Sequence, residues 1–91
     1  MQIEIFHDTA GQRFETQIDG VVGFVEYELG DGVMAITHTI VPPAIGGRGV
    51  AGALVKAAVE WADAQGLSVY PRCSYAEAWM RRHPDYERLR A

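Results

Sequence analysis

Val41-Pro42-Pro43-Ala44-Ile45-Gly46-Gly47-Arg48-Gly49-Val50-Ala51 joins two segments whose apolar residues repeat with different periods. Upstream, Val33–Val41 is rich in β-branched residues and reads as a strand. Downstream, Ala51, Leu54, Val55, Ala58 and Ala62 recur at helical spacing, with Lys56, Glu60 and Asp63 on the other side. Gly66 supplies a helix stop. Leu67–Pro71 then reads as a further short strand. Strand, helix and strand in this order make a parallel pair with a right-handed crossover. The glycine turn falls at the carboxyl end of the first of those strands, where ligands bind in parallel units.

The chain before this unit reads as antiparallel. Gln2–His7 alternates, with Ile3 and Ile5 on one face, and Asp8–Gly11 is a turn signal. Arg13–Ile18 sets Phe14, Thr16 and Ile18 opposite Arg13, Glu15 and Gln17. Asp19-Gly20 is a strong hairpin signal. Val21–Leu29 puts Val21, Gly23, Val25, Tyr27 and Leu29 on one face, and Gly30-Asp31-Gly32 turns the chain again. Beyond the fifth strand, Ser74-Tyr75-Ala76-Glu77 matches a capping box and starts a second helix. Pro84 disfavours helix at His83 and ends it. Asp85–Ala91 reads as a last turn or a tail. The expected fold is mixed α+β in the order β-β-β-β-α-β-α: an antiparallel meander, a β-α-β unit and a C-terminal helix, in one domain spanning 1–91.

With 91 residues, of which 48% are hydrophobic and 22% charged, the chain has the composition of a small globular domain. Eight basic against 12 acidic residues leave a formal charge of −4, which argues against nucleic-acid binding. Any anion site must therefore be local. Cys73 is the single cysteine, so no intramolecular disulfide forms, and a reducing cytoplasm is the expected location. No leader pattern and no membrane-length apolar run is present. The three histidines and one cysteine lack metal-ligand spacing, so no metal is expected. The sequence leaves the oligomeric state open; a monomer is compatible with it.

The first four N–H groups of a helix have no intrahelical partner, and the helix dipole adds partial positive charge there. Glycines at such a start let a phosphate approach, so Gly46–Ala51 is a candidate phosphate or pyrophosphate cradle. It is not a Walker loop, because no Lys-Ser or Lys-Thr follows. It does not fit the dinucleotide fingerprint, which needs repeated β-α-β units. An unliganded glycine turn is the alternative reading.

The surroundings resemble a known family. The acetyl-CoA-binding motif of GCN5-related N-acetyltransferases reads Arg or Gln, two residues, Gly, one residue, Gly or Ala. Gly49 and Ala51 match its last two fixed places; Gly46 stands where the family has Arg or Gln, and Arg48 lies in the variable interior. The match is closer to the small, single-domain YjdJ-type group of that family. His38-Thr39-Ile40-Val41-Pro42, Pro71-Arg72-Cys73 and His83-Pro84-Asp85-Tyr86 are similar to its motifs in order and spacing. The resemblance covers nearly the whole chain. It implies an acetyltransferase-like fold and binding of acetyl-CoA or coenzyme A, with Val41, Gly46, Gly47, Arg48, Gly49, Val50, Ala51 and Tyr75 as the candidate set. Backbone amides would be the main pyrophosphate ligands.

Cys73 immediately precedes the second helix, a location that favours the reactive thiolate; the alternative is a small buried hydrophobe. His38 lies three residues before the end of the fourth strand, on a neighbour of the fifth. A Cys73–His38 pair is thus a candidate nucleophile and base. In the alternative, His38 deprotonates the amine directly. His38 also alternates with Met34, Ile36 and Ile40, which suits a core histidine equally. Glu26 and Glu28 are further base candidates, or simply solvated. Arg48 can pair with phosphate bidentately. Arg81 and Arg82 belong near the coenzyme if the resemblance holds, or on a solvated helix end. Tyr75 and Trp79 suit a core or wall, and His83 and Tyr86 suit docking of the C-terminus. Three functions remain: acetyl transfer to an unidentified amine, a CoA-binding module without transferase activity, and a structural domain without a ligand.

Overall fold

The computed structural model describes residues 3–91; Gln2, where the first expected strand begins, lies outside the described residues. The strands are β1 (Phe6–Asp8), β2 (Arg13–Ile18), β3 (Val21–Gly30), β4 (Val33–Ile40) and β5 (Ser68–Pro71). The helices are α1 (Val50–Ala64) and α2 (Ser74–Arg82), with 3-10 turns at Pro43–Ile45 and Pro84–Leu89. The sheet runs β1-β2-β3-β4-β5 in space, antiparallel through β4 and parallel between β4 and β5. The expected order and mixed α+β class are borne out.

Turn chemistry fixes the registers. Asp19 and Gly20 have φ of 53° and 79°, and Asp31 and Gly32 have φ of 53° and 76°, so each is a two-residue turn with both central φ values positive. At the far end of α1, Gly66 N–H bonds Asp63 O at 3.1 Å and Leu67 N–H bonds Ala62 O at 2.9 Å, the Schellman stop. The helix end therefore turns straight into β5, which begins at Ser68 rather than at Leu67.

Both helices share one core with one face of the sheet. Val25, Met34, Ile36 and Val69 meet Leu54, Val55, Ala58 and Val59 of α1 and Ala76 and Met80 of α2, all fully buried. The opposite face is uncovered, and Phe6, Val22, Ile40 and Tyr70 lie exposed on it.

Three expectations need correction. Among the described residues the first strand starts at Phe6, and residues 3–5 lie outside it. Ile3 and Ile5 are half-buried against the core, but the buried Thr16 hydroxyl bonds Glu4 O at 2.5 Å, so a side chain occupies that acceptor. The cap of α2 is Cys73, not Ser74: its Sγ accepts the Ala76 N–H at 3.4 Å, while Glu77 turns to Arg90 (2.7 Å) and Arg81 (3.6 Å). The alternation of β4 is also broken. Glu26 pairs with His38 but Tyr27 pairs with Ile36, leaving Thr37 as an extra residue, a β-bulge. Beyond it the faces exchange. Thr39 joins Val25, and His38 turns outward instead of staying with Met34 and Ile36.

His7 occupies an aromatic box on the core side. Its ring stacks on Phe14 at 3.9 Å and meets the edge of Trp61 at 4.7 Å. Burial holds its pKa below the ordinary 6.5, against an opposing push from Asp8. Burial raises the Tyr27 phenol, so the phenol stays protonated, and Tyr27 Oη and His7 Nε2 share a hydrogen bond at 2.6 Å. Between the lowered native value and 6.5 the unfolded chain binds more protons than the native one. Stability is therefore complete above about pH 7 and declines as pH falls below 6.5. Melting temperatures from about pH 7.5 to 5.5 should fall for the wild type and fall less for His7→Phe; parallel curves would refute this role.

Candidate functional site

The site begins where β5 leaves β4. Their pairing ends at Ile36 and Pro71. Ile36 O then accepts two N–H groups, from Arg72 at 3.0 Å and Cys73 at 3.1 Å, and the chain enters α2. β4 continues to Ile40 without β5 beside it, which leaves a wedge between the two strands.

Above the wedge lies the glycine turn. Pro42 and Pro43 end the strand, and a 3-10 turn buries Ile45. Gly46 is extended (φ −70°, ψ 158°), whereas Gly47 and Gly49 have φ of 75° and 78°. Gly49 is the N-cap of α1. No side chain caps this helix, and its first turn carries no acidic residue. The N–H groups of Val50, Ala51 and Gly52 therefore retain their donor capacity.

These backbone segments line a groove of about 330 Å³, formed by Val41, Gly46, Gly47, Gly49, Val50, Ala51, Gly52 and Tyr75. Seven of the eight expected binding residues meet there. Arg48 does not; its Nη1 reaches Asp19 Oδ2 at 3.4 Å on the β2–β3 hairpin. Gly52 escaped the sequence reading. A Cβ at that position would stand 3.4 Å from Tyr75 Oη and 3.7 Å from Trp79 Nε1, at the junction of the two helices. The available signal was a glycine inside a helix, which costs about 1 kcal/mol relative to alanine unless close approach needs it.

Cys73 sits half-buried at the wedge, with Sγ 3.4 Å from Thr39 Oγ1. His38 has other neighbours: Nδ1 lies 3.2 Å from Thr37 Oγ1 and 3.7 Å from Glu26 Oε1. Among the described residues, Cys73 and His38 share no hydrogen bond. Thr39 thus takes the place beside the thiol that the adjacency of the fourth and fifth strands had suggested for His38. The bulge has no obvious sequence mark, so Thr39 was not legible.

A second depression, of about 210 Å³, opens on the uncovered face of the sheet. Glu26, Glu28, Thr37 and His38 line it with Gly11, Gln12 and Tyr27. Glu28 also pairs with Arg72 at 3.4 Å. The remaining candidates separate clearly. Arg82 approaches the Tyr75 ring at 5.9 Å, and Arg81 faces Glu77. Trp79 is buried and stacks on His83 at 3.9 Å, while Tyr86 donates to Glu60 at 2.9 Å, docking the C-terminal turn. Among the described residues no group of three His, Cys, Asp or Glu side chains is placed to hold a metal, and no helix is long and apolar enough to cross a membrane.

Comparison with known proteins agrees with this architecture. The sequence pattern of the GCN5-related N-acetyl-transferase family matches residues 13–89. The chain belongs to that family. It is 30% identical over 86 residues to Protein NATD1 of Gallus gallus, covering 90% of this chain and 77% of that protein. Protein NATD1 of Homo sapiens is likewise 30% identical over 86 residues, with 75% of its length covered. The NMR solution structure of a GCN5-like protein from Staphylococcus aureus superposes with a TM-score of 0.76 at 27% identity, covering 97% of this chain and 87% of that one.

The cap geometry separates the structural role of Cys73 from any chemical one. Cys73→Ala removes the acceptor for Ala76 N–H and should lower stability by about 0.5–1 kcal/mol. Cys73→Ser restores a good cap and should be at least as stable as the wild type. Urea unfolding of the three proteins checks this, and equal midpoints would remove Cys73 from the capping role.

Proposed function

We propose that the protein is an acetyl-CoA-dependent N-acetyltransferase. The observation that carries this reading is the groove itself, in a chain of this family. Glycine backbone and an uncapped helix start offer several N–H donors to a diphosphate, with no carboxylate in the first turn to repel it. The φ values of Gly47 and Gly49 suit the close approach of an anion, since side chains rarely adopt them. In this reading Val50, Ala51 and Gly52 hold the diphosphate, and Val41 and Tyr75 line the path towards the wedge. Arg82 adds positive charge at the Tyr75 rim.

Acetyl-CoA is a substrate whose thioester carbonyl carbon accepts a nucleophile. Bound along this groove, it would bring the thioester to the wedge beside Cys73. The acceptor amine would enter from the uncovered face, past Glu26 and His38. Two routes balance. In the relay, Cys73 first loses its proton to solvent, the thiolate Sγ bonds the acetyl carbon and the coenzyme leaves as thiolate. The amine nitrogen then bonds that carbon, Cys73 leaves as thiolate, and the amine proton passes towards His38. In the direct route the amine nitrogen bonds the thioester carbonyl carbon, the coenzyme leaves as thiolate and His38 receives the amine proton, with Cys73 acting only as helix cap. Glu26, 3.7 Å from His38, would stabilise the imidazolium in both. A CoA-binding module without transfer is the second reading. It is favoured by Gly46, which stands where the family motif has Arg or Gln, and by the bare sheet face.

Intact-protein mass spectrometry after incubation with acetyl-CoA separates these possibilities. A denaturation-stable acetyl adduct, absent from Cys73→Ser, is the expected sign of the relay. A native complex without an adduct, together with amine acetylation by Cys73→Ser, selects the direct route. Binding with no transfer to any amine tested selects the module. Gly49→Val places a branched side chain at φ 78° in the cradle and should weaken CoA binding at least about tenfold. Unchanged affinity in a folded variant would remove the groove as the donor site.

A further inference from the structure

Arg48 is flanked by groove residues yet does not line the groove. Gly47 and Gly49 are both in the left-handed region, so the backbone reverses on either side of it. Its guanidinium reaches the tip of the β2–β3 hairpin, 29 positions earlier in the chain, and meets Asp19 Oδ2 through Nη1 at 3.4 Å. Asp19 is the first central residue of a tight hairpin turn with φ 53°, so its carboxylate is carried on a rigid tip. Both partners are solvent-accessible, at 41% and 79% of their side-chain surface. The contact is single and long, unlike a bidentate carboxylate clamp. Such an exposed pair is weak and exchangeable.

We propose that Asp19 is an affinity-setting residue that competes with the phosphates of the coenzyme for Arg48. This inference rests on the donor-site reading above. Two physical effects act in the same direction. Asp19 holds Arg48 away from an anion at the start of α1, and its own charge repels that anion. Releasing Arg48 leaves a flexible guanidinium, one residue before the N-cap, free to pair with phosphate. The hairpin carboxylate is therefore an internal stand-in for the ligand's negative charge, and the exchange lowers the net gain on binding. It also makes binding selective for ligands charged enough to displace the carboxylate.

Asp19→Asn tests this cleanly, because asparagine suits the same left-handed turn position and removes only the charge. Dissociation constants for coenzyme A and for pantetheine, which lacks the phosphates, are measured by calorimetry on wild type, Asp19→Asn, Arg48→Ala and the double variant. At an ionic strength of about 20 mM, where exposed charges are weakly screened, Asp19→Asn should tighten CoA binding by about two- to fivefold. Pantetheine binding should be unchanged. The gain should shrink in the Arg48→Ala background, which itself binds CoA more weakly than wild type. Unchanged or weaker CoA binding by Asp19→Asn would overturn the competition, as would an equal gain without Arg48. If the wild type binds CoA and only the Asp19→Asn effect is missing, the competition alone fails. If the wild type does not bind CoA, the donor-site reading fails and takes the competition with it.

Discussion

The carbonyl oxygen of Ile36 is the last point at which β4 and β5 are held together. It accepts Arg72 N–H at 3.0 Å and Cys73 N–H at 3.1 Å, and those two bonds turn the chain out of the sheet. Pro71 precedes them and has no N–H to continue the ladder. The wedge, the placement of Cys73 at the start of α2 and the free edge of β4 all follow from this divergence. Ile36 itself is fully buried beneath the helices, so the branch point cannot shift without disturbing the core.

One-sided packing sets the second condition. Each strand buries one set of alternating residues against α1 and α2 and leaves the other to solvent. A single core serves both helices, and the C-terminal turn is tied to them through Arg88 on Asp63, Tyr86 on Glu60 and Arg90 on Glu77. The Arg88 contact holds the Asp63 carboxyl below its usual range. The donor groove lies at the glycine turn, and the depression with Glu26 and His38 lies on the bare face. The bulge at Thr37 distributes neighbouring side chains between these surroundings, sending Thr39 to Cys73 and His38 to Glu26.

Much of this was legible. Positive-φ turns require particular residues, so Asp19-Gly20 and Gly30-Asp31-Gly32 marked the β2–β3 and β3–β4 hairpins. Helical spacing from Ala51 to Ala62 named the buried face of α1, and the glycines before it named most of the groove. These are local constraints, written into neighbouring residues. Gly52 and Thr39 were not legible in this way. The role of Gly52 depends on Tyr75 and Trp79 of another helix, and that of Thr39 depends on one extra residue within a ladder.

The sequence by itself determined the order of elements, the positions of the tight hairpin turns and the segment with free backbone donors, because each depends on residues within a turn or two of one another. Only the tertiary structure decided what stands beside what. Cys73 has Thr39 as its neighbour, and Arg48 extends to Asp19 rather than into the groove. Those pairings span 34 and 29 positions and are set by strand register, bulge position and helix packing, none of which a local pattern encodes.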